Sequence, residues 1–224
     1  MKNCFVIALL IVSFSLLAAC GTQPASIPVT GNVPKDLQTI EGAAEDIIDL
    51  VPSGNWDKIN QDVTNMAGAW QSYLPQLGEV GVSQELQDNM TTALTQLQEA
   101  SAAQDAAATM QASNDVSAAV VEMFALYNPK IPADIGRLDV IGRQVILDVT
   151  RQDFPAAEAS LARAKSTWES VKSSVLEHNG KAVAEKFEAS LDTLTSALAA
   201  KDAAALTSEA RNLLEIVDEL ERLY

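Results

Sequence analysis

The chain has little of what most site chemistry is made from: two cysteines, one histidine and 5% aromatic residues in 224. Ten glycines and eight prolines are too few for a collagen-like or low-complexity chain, and two cysteines cannot staple a disulfide miniprotein. Positive charge is also scarce, with 15 Lys and Arg against 30 Asp and Glu and a net charge of −15. Binding to nucleic acid draws on counterion release by a basic surface, so this balance excludes nucleic acid as a partner. No Gly-x-Ser-x-Gly, phosphate-cradling glycine loop, His-Glu-x-x-His or Ser-x-x-Lys occurs, which removes the common routes to an active site. What is plentiful is aliphatic: 48% of residues are hydrophobic and 20% charged, a composition for one or two globular domains.

Lys2 precedes an unbroken run of apolar residues and serines from Phe5 to Leu17, followed by the small Ala18 and Ala19. This is the tripartite pattern of a bacterial export signal, so residues 1–19 are expected to be removed. The ending Leu17-Ala18-Ala19-Cys20 resembles the lipobox of bacterial lipoproteins. That resemblance covers the signal and anchor only. It implies a thioether-linked diacylglycerol on the Cys20 sulfur and an acyl chain of the palmitate kind on the new amino group, with the membrane as the partner of that lipid. Each buried methylene contributes about 0.8 kcal/mol, so several chains anchor where one would not. Cys4 leaves with the signal and Cys20 is consumed by lipid, which excludes cysteine chemistry in the body. Residues 20–33 then read as a lipidated flexible tether, rich in Thr, Ser, Asn and Gly with two prolines. Gly21 is not an aspartate. By resemblance to the sorting rule of enteric bacteria, it favours the outer membrane, with the outer face of the cytoplasmic membrane as the other location.

The remainder repeats itself. Pro34-Lys35-Asp36-Leu37 recurs as Pro132-Ala133-Asp134-Ile135, an offset of 98, and Ile48, Val51, Trp56 and Trp70 match Ile146, Val149, Phe154 and Trp168. After a one-residue slip, Asp105-Ala106-Ala107-Ala108 matches Asp202-Ala203-Ala204-Ala205, and Leu126-Tyr127 matches Leu223-Tyr224. Matches of Trp, Tyr and Pro-x-Asp in unchanged order predict a tandem duplication, with repeat 1 over 34–128 and repeat 2 over 132–224.

Each repeat reads as four helices. Asp36 and Asp134 are expected N-caps of the first, with Leu37, Ile40, Ile47 and Ile48 at helical spacing behind Asp36. Asn55 and Asp153 cap the second, the third begins near Ser83 and Gly180, and the fourth begins at Asp105 and Asp202. Breakers lie between them at Pro52-Ser53-Gly54, Pro75 to Gly81 and Asn179-Gly180. No alternating run of strand length occurs in the body. The expected fold is all-α, an eight-helix bundle architecture made of two four-helix units, with Trp56, Trp70, Tyr127, Phe154, Trp168 and Tyr224 in its core. The stiff connector Asn128-Pro129-Lys130-Ile131-Pro132 favours one body over two beads.

Candidate sites are few. The plan resembles a cytochrome b-type four-helix bundle, but that family needs an inward histidine and methionine. His178, beside Asn179-Gly180, reads as a helix-end residue suited to the dipole, and no cofactor is expected. Met66, Met90, Met110 and Met123 align with Ala164, Phe187, Thr207 and Leu220, which marks them as gap-fillers rather than soft-metal ligands. Asn114-Asp115 sits mid-helix beside an apolar stripe of Met110, Val116, Val120 and Phe124, and is expected to face water. Asn89-Met90-Thr91 matches a glycosylation pattern that a bacterial lipobox makes irrelevant.

Charge is uneven: residues 20–130 carry 3 basic and 14 acidic groups, residues 131–224 carry 11 and 16. Glu41, Glu45 and Asp49 fall at i, i+4 and i+8, where like charges repel. Their counterparts are Asp139, Arg143 and Leu147, of which the first two can pair. The stripe reads as a solvated acidic face, with a hard-cation site as the alternative. The chain is therefore expected to be a non-enzymatic, lipid-anchored envelope module that binds a protein partner or a cationic ligand. The alternative is an accessory protein holding a metal cation or small ligand between the repeats or on the acidic face.

Overall fold

Five of the helices begin where a short polar side chain turns back onto the backbone. Asn55, Ser83, Asp105, Asp153 and Asp202 accept the N–H groups of Lys58, Leu86, Ala108, Ala156 and Ala205, at 3.0–3.3 Å. Each satisfies a donor the first helical turn would otherwise leave orphaned. The computed structural model describes residues 32–224, so the expected signal, Cys20 and all but the end of the tether lie outside it. The described helices are α1 (Lys35–Leu50), α2 (Trp56–Tyr73), the single turn α3 (Leu77–Val80), α4 (Gln84–Ala102), α5 (Ala106–Phe124), α6 (Ala133–Thr150), α7 (Phe154–Glu177), α8 (Lys181–Ala200) and α9 (Ala203–Glu221). No strand occurs among the described residues.

Asp36 and Asp134 are not N-caps. Pro34 and Pro132 occupy those positions without any side-chain bond, and Asp134 instead receives Arg137 at 2.6 Å and Ser170 at 2.8 Å. Proline holds the extended backbone that leads into a helix, so the chain enters without a polar cap. Asp202→Ala should therefore lower stability by about 1 kcal/mol, while Asp36→Ala should fall within about 0.5 kcal/mol of the parent. Urea unfolding midpoints read the contrast.

The long helices form two sets of four, each a ring around its own core. In the first, α1 lies against α2 and α5, and α4 closes the ring against the same two. In the second, α6 lies against α7 and α9, and α8 closes the ring. Ile40, Ile47, Met66, Tyr73, Met90 and Met123 are fully buried in the first core; Ile135, Leu138, Trp168, Phe187, Leu194 and Leu220 fill the second. Trp70 and Tyr127 are buried with the first set, whereas Trp56, Phe154 and Tyr224 are half-buried and pack against the core edges. The Tyr73 and Tyr127 hydroxyls meet at 2.8 Å inside the first bundle, and the Tyr224 hydroxyl meets Ser174 at 2.8 Å in the second.

The second helices differ in length for a local reason. Pro75 lacks an amide proton and cannot continue α2, so the chain tightens into a 3-10 turn (Leu74–Gln76), then α3, and leaves through the left-handed Gly81. No proline interrupts α7, which runs on for 24 residues. Gln104, Gln152, Asn179 and Lys201 adopt positive φ between 51° and 61°. They make the short joints after α4, α6, α7 and α8.

The largest contact between the two rings is α5 packed on α6. Gln111 meets Gln144, Asn114 meets Val140, and Glu122 meets Arg137, so numbers rise along one helix as they fall along the other and the pair is antiparallel. Val121 and Val140 are buried here and belong to neither core. A Cβ on Gly136 would lie 3.1 Å from Val121, so glycine permits the close approach. Asn114, expected to face water, is 1% exposed. It donates to the Val140 carbonyl at 3.2 Å and to Gln144 Oε1 at 3.1 Å, because α5 is shared between the bundles and has no water-facing side at that turn.

Candidate functional site

In the acidic stripe of α1, Glu45 and Asp49 are exposed, as expected of a solvated face, and only Glu41 is half-buried. The stripe runs along the edge where α1 approaches α6 and α9. Arg143 of α6 ion-pairs with Asp139 one turn earlier and reaches Glu45 across the bundle boundary at 3.6 Å. The Arg143 side chain is only 10% exposed, so its charge is held in a partly desolvated place where attraction to carboxylates is strong.

Four further carboxylates surround this arginine. Asp49 and Asp218 act electrostatically on both Glu45 and Asp139, and Glu221 stands beside Glu41. Glu41 is half-buried, and its Oε2 is sealed from solvent without a hydrogen-bond partner. Burial, and then the charge of Glu45, push the Glu41 carboxyl up to about 8, against a weaker downward pull from Arg143. Burial, then Asp139 and Glu45, push Glu221 up to about 7. Burial also raises Glu45 and Asp139, again opposed by Arg143. Arg143 is thus outnumbered by carboxyl groups, and Glu41, raised to about 8, holds its proton at neutral pH.

Next to these groups opens a cleft of about 590 Å³. Ile48, Met110, Ile146 and Leu214, one each from α1, α5, α6 and α9, supply apolar wall; Glu45, Asp49, Asp139 and Asp218 line it with charge, together with Arg143. A shallower polar depression of about 780 Å³ adjoins it along α9 and shares Arg211 and Glu215. The volume lies in the range of about 300–1,000 Å³ common to small-molecule sites. Among the described residues, no group of three or more His, Cys, Asp or Glu is placed to hold a metal ion. Glu41, Glu45 and Asp49 follow one another along α1, so their carboxylates spread over more than two turns instead of converging on a point.

The other singled-out residues fall elsewhere. His178 is exposed at the end of α7, its Nδ1 2.9 Å from the Ser174 carbonyl oxygen and its ring 4.2 Å from that of Tyr224. Met66, Met90 and Met123 are fully buried, and only Met110 reaches the cleft. Asp148, which sequence reasoning passed over, is 2% exposed yet fully engaged. It accepts from Gln144 at 2.8 Å, Arg151 at 2.7 Å and Ser160 at 2.8 Å. The available signal was Gln144 and Asp148 at i, i+4 on a helix otherwise rich in Val, Ile and Leu.

Compared with protein-family models, curated proteins and solved structures, the chain gives no match. No described helix is long and apolar enough to cross a membrane.

Proposed function

We propose that this is a lipid-anchored, non-enzymatic binding module of the bacterial cell envelope, built by duplication of a four-helix unit. The observation that carries the reading is Leu17-Ala18-Ala19-Cys20 after an apolar run, followed by an uncharged Pro, Ser and Thr stretch. Lipid on Cys20 ties the chain to the membrane, on the outer membrane or the outer face of the cytoplasmic membrane. The tether and the acidic surface, repelled by anionic headgroups, hold the body off the bilayer. Partners with a basic surface, or cationic ligands, suit that charge.

The anchor is tested on protein extracted from membranes. Mass spectrometry should find a chain beginning at Cys20 with diacylglyceryl mass added, and Cys20→Ser should shift the protein out of the membrane fraction. An unmodified Cys20 overturns this reading.

A second reading is favoured by a specific observation. The charged and apolar cleft between α1, α5, α6 and α9 gives the body a place to hold a small ligand between its halves, in an accessory role.

A further inference from the structure

We propose that this cleft binds an organic cation with an apolar body, a compact amine-bearing amphiphile. Its ammonium group would lie among Asp218, Asp49 and Glu45, and its hydrocarbon part against Ile48, Met110, Ile146 and Leu214. The inference rests on the reading of the cleft as a ligand site and supplies the chemistry of the ligand.

Three observations lead to it. First, charge: Glu45, Asp49, Asp139 and Asp218 line the cleft around the nearly buried Arg143, which pairs with Asp139 and Glu45. Asp49 and Asp218 have no ion-pair partner among the described residues. Arg211 and Glu215 line the cleft as well, so five carboxylates face two guanidinium groups there, an excess that a further cation would offset. Glu41, one turn before Glu45 and outside the cleft lining, has a sealed carboxyl oxygen without a partner. Such a group is costly when ionised and unrelieved.

Second, geometry excludes the simplest cation. Carboxylates that do not converge cannot chelate a metal, but an ammonium group needs only hydrogen-bond distance to one or two of them, with the rest acting through space. Third, four helices contribute half-buried aliphatic side chains to the walls. Covering that surface is favourable for a hydrocarbon and unfavourable for a hydrated inorganic ion. The tether is a poor occupant, because residues 21–33 carry no charge. A folded protein is too large for the volume.

Octylamine, octanol and octanoate test the proposal, since they carry one apolar body with a cationic, neutral or anionic head. The described core residues of both bundles lie within 33–224, so the polypeptide from Cys20 onward, with Cys20→Ser, is the species to titrate. Amide and methyl NMR shifts should saturate with octylamine and concentrate at Ile48, Met110, Ile146 and Leu214. Octanol should bind about tenfold more weakly, the worth of one charge-assisted hydrogen bond, and octanoate should not saturate. Glu45→Gln with Asp218→Asn should weaken octylamine about tenfold and leave octanol unchanged.

Equal affinity for the three heads, shifts spread over the acidic surface, or an unchanged octylamine affinity in the double variant would each overturn it. The anchored-module reading stands or falls separately, on the mass of Cys20.

Discussion

Trp168→Ala should destabilise the protein by about 3–5 kcal/mol, the usual effect of truncating a fully buried aromatic side chain. Trp168 is 1% exposed in the middle of the second core. Its ring centroid lies 4.5 Å from that of Phe187, and its indole N–H donates to Glu188 at 3.2 Å. Alanine leaves a cavity, an unmatched Phe187 face and a lost hydrogen bond together. The effect should also be local before it is global. The two cores are separate and the rings pack on one another chiefly through α5 and α6, so the weakened ring should open while the first ring still protects its amides. Hydrogen exchange should accelerate across α7, α8 and α9 first, with α2 and α4 following at higher denaturant. Uniform acceleration over all helices would show that the halves unfold as one unit. Leu74→Ala, at a 36% exposed position outside both cores, is the control and should change stability by no more than about 0.5 kcal/mol.

The separation of the two cores bears on what the sequence could show. The spacing of Leu37, Ile40 and Ile47, and the caps at Asn55, Asp105, Asp153 and Asp202, are local signals. Local signals place helices well because helix periodicity and capping act within a few residues. The all-α class and the joints followed from them. Position between the rings is not local. Asn114 looked solvent-facing because its own helix already had an apolar stripe, but α5 is enclosed by α1 and α4 on one side and α6 on the other. A hint was present. In α5, Asp115 and Glu122 are the only charged residues among 19, which is the composition of a helix without a broad water-facing side.

The candidate site was half legible for the same reason. Glu41, Glu45 and Asp49 stood out by spacing, and Asp139 with Arg143 by comparison of positions 98 apart. Asp218 and Leu214, which complete the cleft, belong to α9 and reach α1 only through tertiary packing. The stripe is solvated at Glu45 and Asp49, as its spacing suggested, but it also borders a groove whose opposite wall comes from the other bundle, which no local signal shows. Asp148 was hidden differently. A buried carboxylate is stable only when its acceptors are filled, and Arg151, Gln144 and Ser160 fill them from positions that no linear motif connects.

Stability should fall as pH rises from about 4.5 to about 8, and Glu41 should be the main cause. Its carboxyl lies at about 8 in the folded protein against an ordinary 4.5. The folded state keeps the proton throughout a window in which the unfolded chain has already released it. Below 4.5 both states are protonated and Glu41 contributes no pH dependence; above 8 both are ionised and the loss is complete. Each pH unit inside the window costs about 1.4 kcal/mol for a single such group. Glu221, at about 7, adds a loss of the same sign over the lower part of the window. Glu41→Gln removes the larger titration. The variant should match the parent near pH 4 and exceed its stability by a few kcal/mol near pH 9, which urea unfolding at a series of pH values would measure. Parallel profiles for parent and variant would mean that water or a shifted Arg143 already relieves Glu41. A steeper loss in the variant would mean that the ionised carboxylate supports the fold through Arg143. An amine seated beside Arg143 should lower the Glu41 value and flatten the parent's profile toward that of the variant, because a cation stabilises the ionised form that burial disfavours. The direction of that change couples the junction between the two bundles to occupancy of the cleft: a cation among Glu45, Asp49 and Asp218 would act through space on Glu41, the carboxyl whose ionisation weakens the junction.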